Sequence, residues 1–342
     1  MNALALPNRR VEDWKYSDLR GAIDEAEVAA APAANWSVVV AQGAEAGALP
    51  KIAPRGEHGA MAALAISTAK AGIFIRVAKN HPGFVQLELS EPGHARAVIV
   101  IEDGASLVLR ETTTAKGFSN VAVDIAIGRN AGLTHFRLAP ATETVRIADV
   151  AIRVAAGGAY RAHFAELGGK LARTELHIAL EDDGAQAHLS GACVVANNHA
   201  DITTHLVHAA PDTQSTQLFK YVAGNQARGV YQGKITVAEG ADGSDSRQTA
   251  KGLLLAERAE IDLKPELEIF ADDVKCAHGA AIGDLDADSL FYLRSRGIPE
   301  VEARNLLIRA FLEEAFADVN DPAMHEILWN AVEAALPQAA AP

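Results

Sequence analysis

The sequence has few cysteines and no long apolar run. Only Cys193 and Cys276 occur among its 342 residues, too few for a disulfide framework. No segment reaches the roughly 18 uninterrupted apolar residues of a membrane span, and no apolar run near the start precedes a small-residue cleavage site. We therefore expect a cytoplasmic protein with free thiols and no membrane partner.

Positive charge is also scarce. The formal net charge is -13, and no long run of Lys and Arg is present that could displace counterions from a phosphate backbone. Nucleic acid is therefore not an expected partner. The nucleotide-binding pattern Gly-x-x-x-x-Gly-Lys-Ser/Thr is missing too. We therefore expect no nucleotide hydrolysis by this chain, and any ATP would be handled by a partner.

Short alternating runs dominate the middle of the chain. Between Ile73 and Ile269, runs such as NVAVDIAIG and ARTELHIAL alternate apolar and polar residues, as strands do. Gly104, Gly132, Gly158 and Gly184 each precede such a run, at intervals of 28, 26 and 26 residues. This period predicts a mainly β protein with a parallel β-helix. An antiparallel sandwich, with turns every ~8 to 12 residues, is the alternative.

Helical patterns end the sequence. The run LDADSLFYLRSRG has Asp286 or Asp288 as candidate N-cap and Gly297 as stop signal. Pro299 and Pro322 suit the first turns of two further helices. The apolar face predicted for the first of these two helices comprises Val301, Leu306, Ile308, Phe311, Leu312 and Phe316. The predicted domains are a partly helical N-terminal region (1–70), a β-helix core (71–284) and a C-terminal helical domain (285–342).

The segment EIFADDVKCAHGA carries the candidate metal ligands. In an extended strand Cys276 and His278 project to one face, while Lys275 and Ala277 project to the other. A thiolate and an imidazole suit iron or an iron-sulfur cluster. Two ligands do not close a site, so the others must come from elsewhere or from another chain. For an isolated Cys-x-His, a structural cysteine beside an unrelated histidine is the commoner case.

Other candidate ligands are weaker. Cys193 lies among small and β-branched residues, which favours an inert core thiol. His199, His205 and His208 are close in sequence, but strand alternation separates His205 from His208. We predict that these histidines face solvent or are satisfied in the core.

A β-helix also suits a carbohydrate-active enzyme, which needs paired carboxylates in one groove. Asp272 and Asp273 are adjacent and would point to opposite faces of a strand, which is poor geometry for such a pair. This enzyme class remains an alternative.

Several long motifs resemble the SufB/SufD family of iron-sulfur cluster assembly scaffolds. They lie at Arg9 to Leu19, His199 to His208, Pro265 to Ala280, Leu290 to Ile298 and Ala303 to Phe311. The resemblance implies a right-handed parallel β-helix with helical ends. Within the family, the short chain and the sequence after the histidine of the Cys-x-His motif resemble the SufD type more than the SufB type.

The resemblance also implies partners and a cluster site. A SufB-like scaffold subunit would pair through the β-helix near Cys276 and His278, and a transient iron-sulfur cluster or iron would be held between the two chains, with none bound stably by this chain alone. His278 is the first candidate ligand and Cys276 the second, and a SufD-type chain is associated with iron entry. The C-terminal helices would dock a SufC-like ABC-type ATPase. The candidate docking residues are Leu290, Phe291, Tyr292, Leu306 and Phe311.

A third interpretation is a homodimeric interaction module without metal, in which Cys276 and His278 only pack. The sequence also leaves open a homodimer of the isolated chain.

Overall fold

The computed structural model of the chain describes residues 6–50 and 56–336. Two nine-stranded sheets enclose a shared apolar core, so the protein is mainly β. Each coil gives one strand to either sheet, and along most of the fold a strand pairs in parallel with its counterpart in the next coil. The fold is therefore a parallel β-solenoid, as the period of the glycine turns predicts, rather than an antiparallel sandwich.

The strands alternate between the two sheets along the chain. The first sheet contains, in spatial order, β1 (Ser37–Gln42), β4 (Pro82–Leu89), β6 (Ser106–Thr113), β8 (Gly132–Ala139), β10 (Ala159–Glu166), β12 (Gln186–Val195), β14 (Gln214–Ala223), β16 (Asp245–Leu254) and β18 (Lys275–Gly283). The second contains β2 (Glu45–Gly47), β3 (Ile73–Val77), β5 (Gly93–Ile101), β7 (Ser119–Ile127), β9 (Val145–Val154), β11 (Leu171–Leu180), β13 (His199–His208), β15 (Arg228–Val237) and β17 (Glu260–Ile269).

Helices lie near both ends of the chain. They are α1 (Leu19–Ala22), α2 (Glu25–Ala30), α3 (Ala62–Thr68), α4 (Ala287–Ser295), α5 (Glu300–Glu313) and α6 (Pro322–Ala335). Within the described ranges, no helix combines the length and apolar character needed to cross a membrane. Strands β1 and β2 begin the sheets before residue 70, inside the region predicted as partly helical. The predicted domain boundaries remain predictions.

From β4 to β16, the turn before each strand of the first sheet contains a residue in the left-handed region. Gly104 and Gly184 both have φ +68°, and Asn130 has φ +52° at the equivalent turn. The Gly104 amide donates to the Arg129 carbonyl of the next coil at 2.8 Å. Gly132 lies two residues after Asn130, so the repeated glycines mark the turns without always holding the strained position. Asn tolerates this conformation better than most residues.

Matched columns of apolar side chains fill the interior. Val150 and Ile152 of β9 pair with Leu176 and Ile178 of β11, and all four are buried. The same registration repeats from coil to coil, so each inward residue contacts its counterparts above and below. Burial of these stacked side chains is the main driving force for closing the solenoid.

The terminal segments cover the outer faces of the two sheets. N-terminal residues such as Trp14 and Leu19 pack on the second sheet with Ile147 and Leu171. The C-terminal helices pack on the first sheet, with apolar contacts to its buried outer residues. Those helix residues include Ile308, Leu312, Met324, Leu328 and Val332, and Phe316 of the 3-10 turn Glu314–Phe316 joins them.

The predicted apolar face of α5 is only partly right. Ile308 and Leu312 are buried against the sheet, as expected. Val301 and Leu306 are 45% and 41% exposed. The sheet covers one side of the helix only, and the sequence pattern does not show which apolar residues fall outside that contact. Asp286 caps α4, accepting a hydrogen bond from the Ser289 amide at 2.7 Å.

His58 fastens the segment before α3 to the second sheet. Its Nε2 lies 2.9 Å from Oδ1 of Asp124, and its Nδ1 lies 2.5 Å from Oδ1 of Asp149. The Gly56 and Gly59 amides donate to the same two carboxylates. Burial alone would lower the pKa of His58, but the hydrogen bonds and charges of Asp124 and Asp149 raise it to about 9. His58 therefore carries a positive charge at neutral pH.

Replacing His58 with Ala should destabilise the fold more at about pH 6 than at about pH 10. A histidine whose pKa is about 9 when folded and ~6.5 when unfolded stabilises fully below ~6.5, and this stabilisation is lost as the pH rises through 9. Urea denaturation of both proteins at the two pH values measures the difference. His81→Ala, at an exposed turn, is the control and should change little. A loss that is equal at both pH values would contradict the ion bridge.

Candidate functional site

The last coil of the solenoid is open on one side. Strands β17 and β18 are the terminal strands of their sheets, each paired with one neighbour within the described residues. Exposed apolar side chains lie on or beside these strands: Ile269 is 43% exposed, Phe270 64% and Ile282 45%. A strand edge with free backbone groups and apolar flanks can accept another strand.

Cys276 and His278 lie on β18. In register, Cys276 pairs with Ser246 and His278 with Gln248 of β16, both of which are buried. The two side chains therefore continue columns that are interior in the preceding coil. Cys276 is half-buried against the core, whereas His278 is exposed because no further coil covers it. Both side chains can be reached from the open end.

The interior columns that lead to these two residues become polar. In earlier coils the Cys276 column holds Ala187 and the His278 column holds Leu189. Nearer the end, Ser215 and Ser246 are hydrogen-bonded through their hydroxyls at 2.7 Å. The sequence thus places polar side chains where a closed core would have apolar ones.

The second polar column contains Gln217 and Gln248. Gln217 Oε1 accepts hydrogen bonds from Thr204 Oγ1 at 2.8 Å and from the Tyr231 hydroxyl at 3.0 Å. The side-chain amide of Gln248, next to His278, is buried without a hydrogen-bond partner among the described residues. A buried amide without a partner is costly, which favours additional polar contacts at this end of the solenoid.

Cys276 is a protonated thiol in the isolated chain at neutral pH. Burial raises its pKa, and the nearby Asp245 carboxylate raises it further, while a backbone hydrogen bond from Ser246 acts in the opposite direction. A metal or cluster bound here would have to displace that proton. Cys276 and His278 supply one sulfur and one nitrogen ligand, so a complete site needs ligands from outside this strand.

The predicted docking residues differ in exposure. Phe291 and Tyr292 of α4 are 75% and 57% exposed, and Leu306 of α5 is also exposed. Leu290 is half-buried. Phe311 is half-buried against the sheet, with the Lys220 ammonium 4.4 Å from its ring centroid. The exposed surface therefore consists mainly of α4 and the start of α5.

The carboxylates considered for a carbohydrate-active enzyme do not form a strand pair. Asp272 and Asp273 lie in the bend between β17 and β18, and both are exposed. The expectation that they occupy a strand was wrong, because β18 begins only at Lys275. The Asp273 carbonyl accepts from the Gly243 amide at 2.7 Å, so this bend stacks on the preceding one.

Of the three histidines that are close in sequence, His205 is stacked on a fourth, His177, which no sequence motif singles out. His177 lies 4.9 Å from His205 between ring centroids, with the rings nearly parallel at 8°. The signal was present, since 28 residues separate them, the length of one coil. By contrast, His208 is buried and bonded to Thr213 and Ser215, as predicted for a core histidine.

Cys193 is fully buried in the main core. Burial raises its pKa well above the ordinary value, and the charges of Glu166 and Asp201 act in the same direction. The predicted core position of Cys193 is confirmed, and its low reactivity remains a prediction.

The architecture defines a β-solenoid protein with helices on both outer faces and an open last coil. The family model described as the SUF system FeS cluster assembly, SufBD core domain, matches residues 86–311. The chain belongs to the SufB/SufD family of iron-sulfur cluster assembly proteins.

Individual relatives agree with this assignment. The iron-sulfur cluster assembly protein SufD of Escherichia coli is 33% identical over 73% of this chain and 58% of its own length. An iron-sulfur cluster assembly SufBD family protein of Synechocystis is 33% identical over 64% of this chain and 51% of its own length. Protein ABCI7 of Arabidopsis thaliana chloroplasts is 30% identical over 71% and 53%. The chain thus spans little more than half the length of these relatives.

In the isolated chain, iodoacetamide should alkylate Cys276 and leave Cys193 unmodified. Cys276 is half-buried with a raised pKa, so it should also react more slowly than free cysteine at neutral pH. Mass spectrometry of peptides after timed labelling measures both rates, and Cys276→Ser should abolish labelling. Modification of Cys193 at a comparable rate would contradict its sealed position.

Proposed function

We propose that this chain is a SufD-type scaffold subunit of an iron-sulfur cluster assembly complex with a SufB-like and a SufC-like partner. The observation that supports the proposal best is the open last coil, where the Cys276 thiol and the His278 imidazole lie on one face of β18 and can be reached from outside. A transient cluster or iron would be held there between two chains. The chain itself would be non-catalytic, would contribute to iron entry, and would work in the reducing cytoplasm, which suits its two free cysteines.

The open edge supports pairing with a sister solenoid. Both sheets end in strands with one unpaired side, and Ile269, Phe270 and Ile282 give apolar surface around them. Strand addition at such an edge satisfies backbone groups and buries apolar area together. Thiolate or imidazole ligands from a second chain would then complete the site that Cys276 and His278 begin.

The exposed face of α4 supports docking of an ABC-type ATPase. The described part of the chain buries no residue of α4, although Phe291 and Tyr292 are large and aromatic. Aromatic side chains with this exposure are typical of protein interaction sites. Val301 and Leu306 of α5 are exposed as well. ATP hydrolysis by this partner would supply the energy that this chain cannot provide.

Replacing His278 with Ala should lower the cluster yield of the reconstituted complex several-fold, and the subunits should stay associated. The reason is that His278 is an exposed ligand candidate with no packing role. Anaerobic reconstitution with iron and sulfide, followed by visible absorbance and iron analysis, measures the yield. Lys275→Ala, an exposed neighbour on the opposite face of β18, is the control. Equal yields for both variants would remove His278 from the mechanism.

The reconstitution tests one remaining alternative, and two other measurements test the second. A metal-free homodimeric module predicts that neither Cys276→Ser nor His278→Ala changes cluster yield. A carbohydrate-active enzyme predicts turnover of a polysaccharide by the lone chain, with no ATPase in the complex recovered from cells.

Replacing Phe291 with Asp should weaken ATPase binding at least tenfold while the chain stays folded. The side chain is 75% exposed, so the new charge disturbs an intermolecular contact and no internal one. Isothermal titration with the purified ATPase measures affinity, and circular dichroism checks the fold.

Two further variants show where the ATPase docks. Ala334→Asp places the same charge at an exposed position of α6 and should bind normally. Phe311→Asp should destabilise the packing of α5 on the sheet, since this ring is half-buried. Unchanged affinity of folded Phe291→Asp would locate docking elsewhere.

A further inference from the structure

The outer face of the second sheet carries a cluster of two histidines and one carboxylate. Glu175 and His177 lie on β11, and His205 lies beside His177 on β13. One nitrogen from each imidazole and one carboxylate oxygen lie within 4.8 Å of one another. The cluster comes from two coils, and no part of it belongs to the open end around β18.

The imidazole nitrogens that face this cluster lack hydrogen-bond partners. Nε2 of His177 and Nε2 of His205 are both inaccessible to solvent and form no hydrogen bond of good geometry within residues 6–50 and 56–336. Glu175 Oε1 lies 3.2 Å from the first and 3.8 Å from the second, but neither contact has hydrogen-bond geometry. Unsatisfied buried nitrogens are rare in folded proteins and often indicate a missing water or ion. Here both are directed toward the same ionised carboxylate.

The charges around the cluster favour a cation. Asp149 pairs directly with Glu175 in the ladder between β9 and β11, and both side chains are almost fully buried. Arg173 binds the other oxygen of Glu175, and His58 binds Asp149. Apart from His177, the wider network sets four carboxylates (Asp124, Asp149, Glu175 and Asp201) against three positively charged groups (His58, Arg96 and Arg173). Burial lowers the pKa of His177, but Glu175 and Asp149 raise it overall, so these carboxylates already attract a proton to the cluster.

Gly59 packs so tightly against the two carboxylates that a side chain at this position would clash with them. A Cβ at this position would lie 2.5 Å from Glu175 Oε1 and 2.9 Å from Asp149 Oδ2. The Gly59 amide donates to Asp149 Oδ2 at 2.7 Å, which holds that carboxylate next to the cluster. The Gly59 backbone thus lies directly over the two carboxylates, in a position that only glycine can occupy.

We propose that Glu175, His177 and His205 bind a divalent first-row transition metal ion. Two imidazole nitrogens and one carboxylate oxygen are a donor set that zinc, cobalt and ferrous ions accept, whereas magnesium and calcium prefer oxygen alone. Ligands of one tetrahedral zinc ion lie roughly 3.3 Å apart, close to the two nitrogen–oxygen distances. The two imidazole nitrogens lie within 4.8 Å of one another, so a bound ion would require them to move closer together. Water would occupy the remaining coordination position.

Metal titration of the untagged full-length chain tests the site. The parent protein carries Cys276→Ser and His278→Ala, which removes the other candidate ligands. After chelator treatment, Zn²⁺ is titrated against a chromophoric chelator at about pH 8, where an unperturbed imidazole is neutral. We expect one bound equivalent in this parent. His205→Ala should reduce the affinity at least tenfold, whereas His81→Ala, in an exposed turn, should leave it unchanged.

Cobalt gives a second and independent signal. Co²⁺ held by nitrogen and oxygen should show weak visible bands without a thiolate charge-transfer band, and these should be lost in His205→Ala. His205 is partly exposed, so this variant should fold, and circular dichroism verifies it. His177→Ala provides a second ligand variant. If the parent binds no metal, or if folded His205→Ala and His177→Ala bind it as tightly as the parent, the site does not exist. This result would leave the proposed scaffold function untouched, because that function depends on β18.

Discussion

The parallel registration of one coil on the next is the constraint on which the rest of this structure depends. Once each strand pairs with its counterpart one coil later, every position belongs to a column that runs along the solenoid. A column may be apolar, as with Val150 and Leu176, or polar, as with Ser215 and Ser246. Residues more than 25 positions apart in sequence thereby become direct neighbours. The cores, the polar columns and both candidate metal sites follow from this registration.

The two ends of the solenoid differ. At the N-terminal end, β1 and β2 pair antiparallel with the first solenoid strands, and Trp36 packs into the main core. Such a closing element protects a repeat fold from unwanted association. At the other end, α5 and α6 pack on the outer face of the first sheet at earlier coils. No residue of α4 is fully buried against the described part of the chain. The described part of the chain therefore does not cover β17 and β18.

Much of this architecture is predictable from the sequence, because local signals mark it. Glycines such as Gly104 and Gly184 mark left-handed turns, strand alternation places Cys276 and His278 in neighbouring columns of one face, and Asp286 marks a helix start. Tertiary contacts are harder to predict. The sequence gives no means of telling that Phe311 packs on the sheet while Leu306 faces solvent, because both fit the same helical period.

The histidine and carboxylate cluster illustrates a different kind of omission. Neither His177 nor His205 forms a motif within its own strand. They become neighbours because they are one coil length apart in sequence, a spacing that the sequence reading applied to the turns but not to the side chains. Asp149, Glu175 and their cations follow the same rule across three coils. Thiol and imidazole at the open end suit soft iron-sulfur chemistry, whereas imidazole and carboxylate on the flank suit a borderline divalent ion. The solenoid can therefore carry two separate candidate metal sites. Each coil contributes one residue to a column, and the residues of that column set its chemistry.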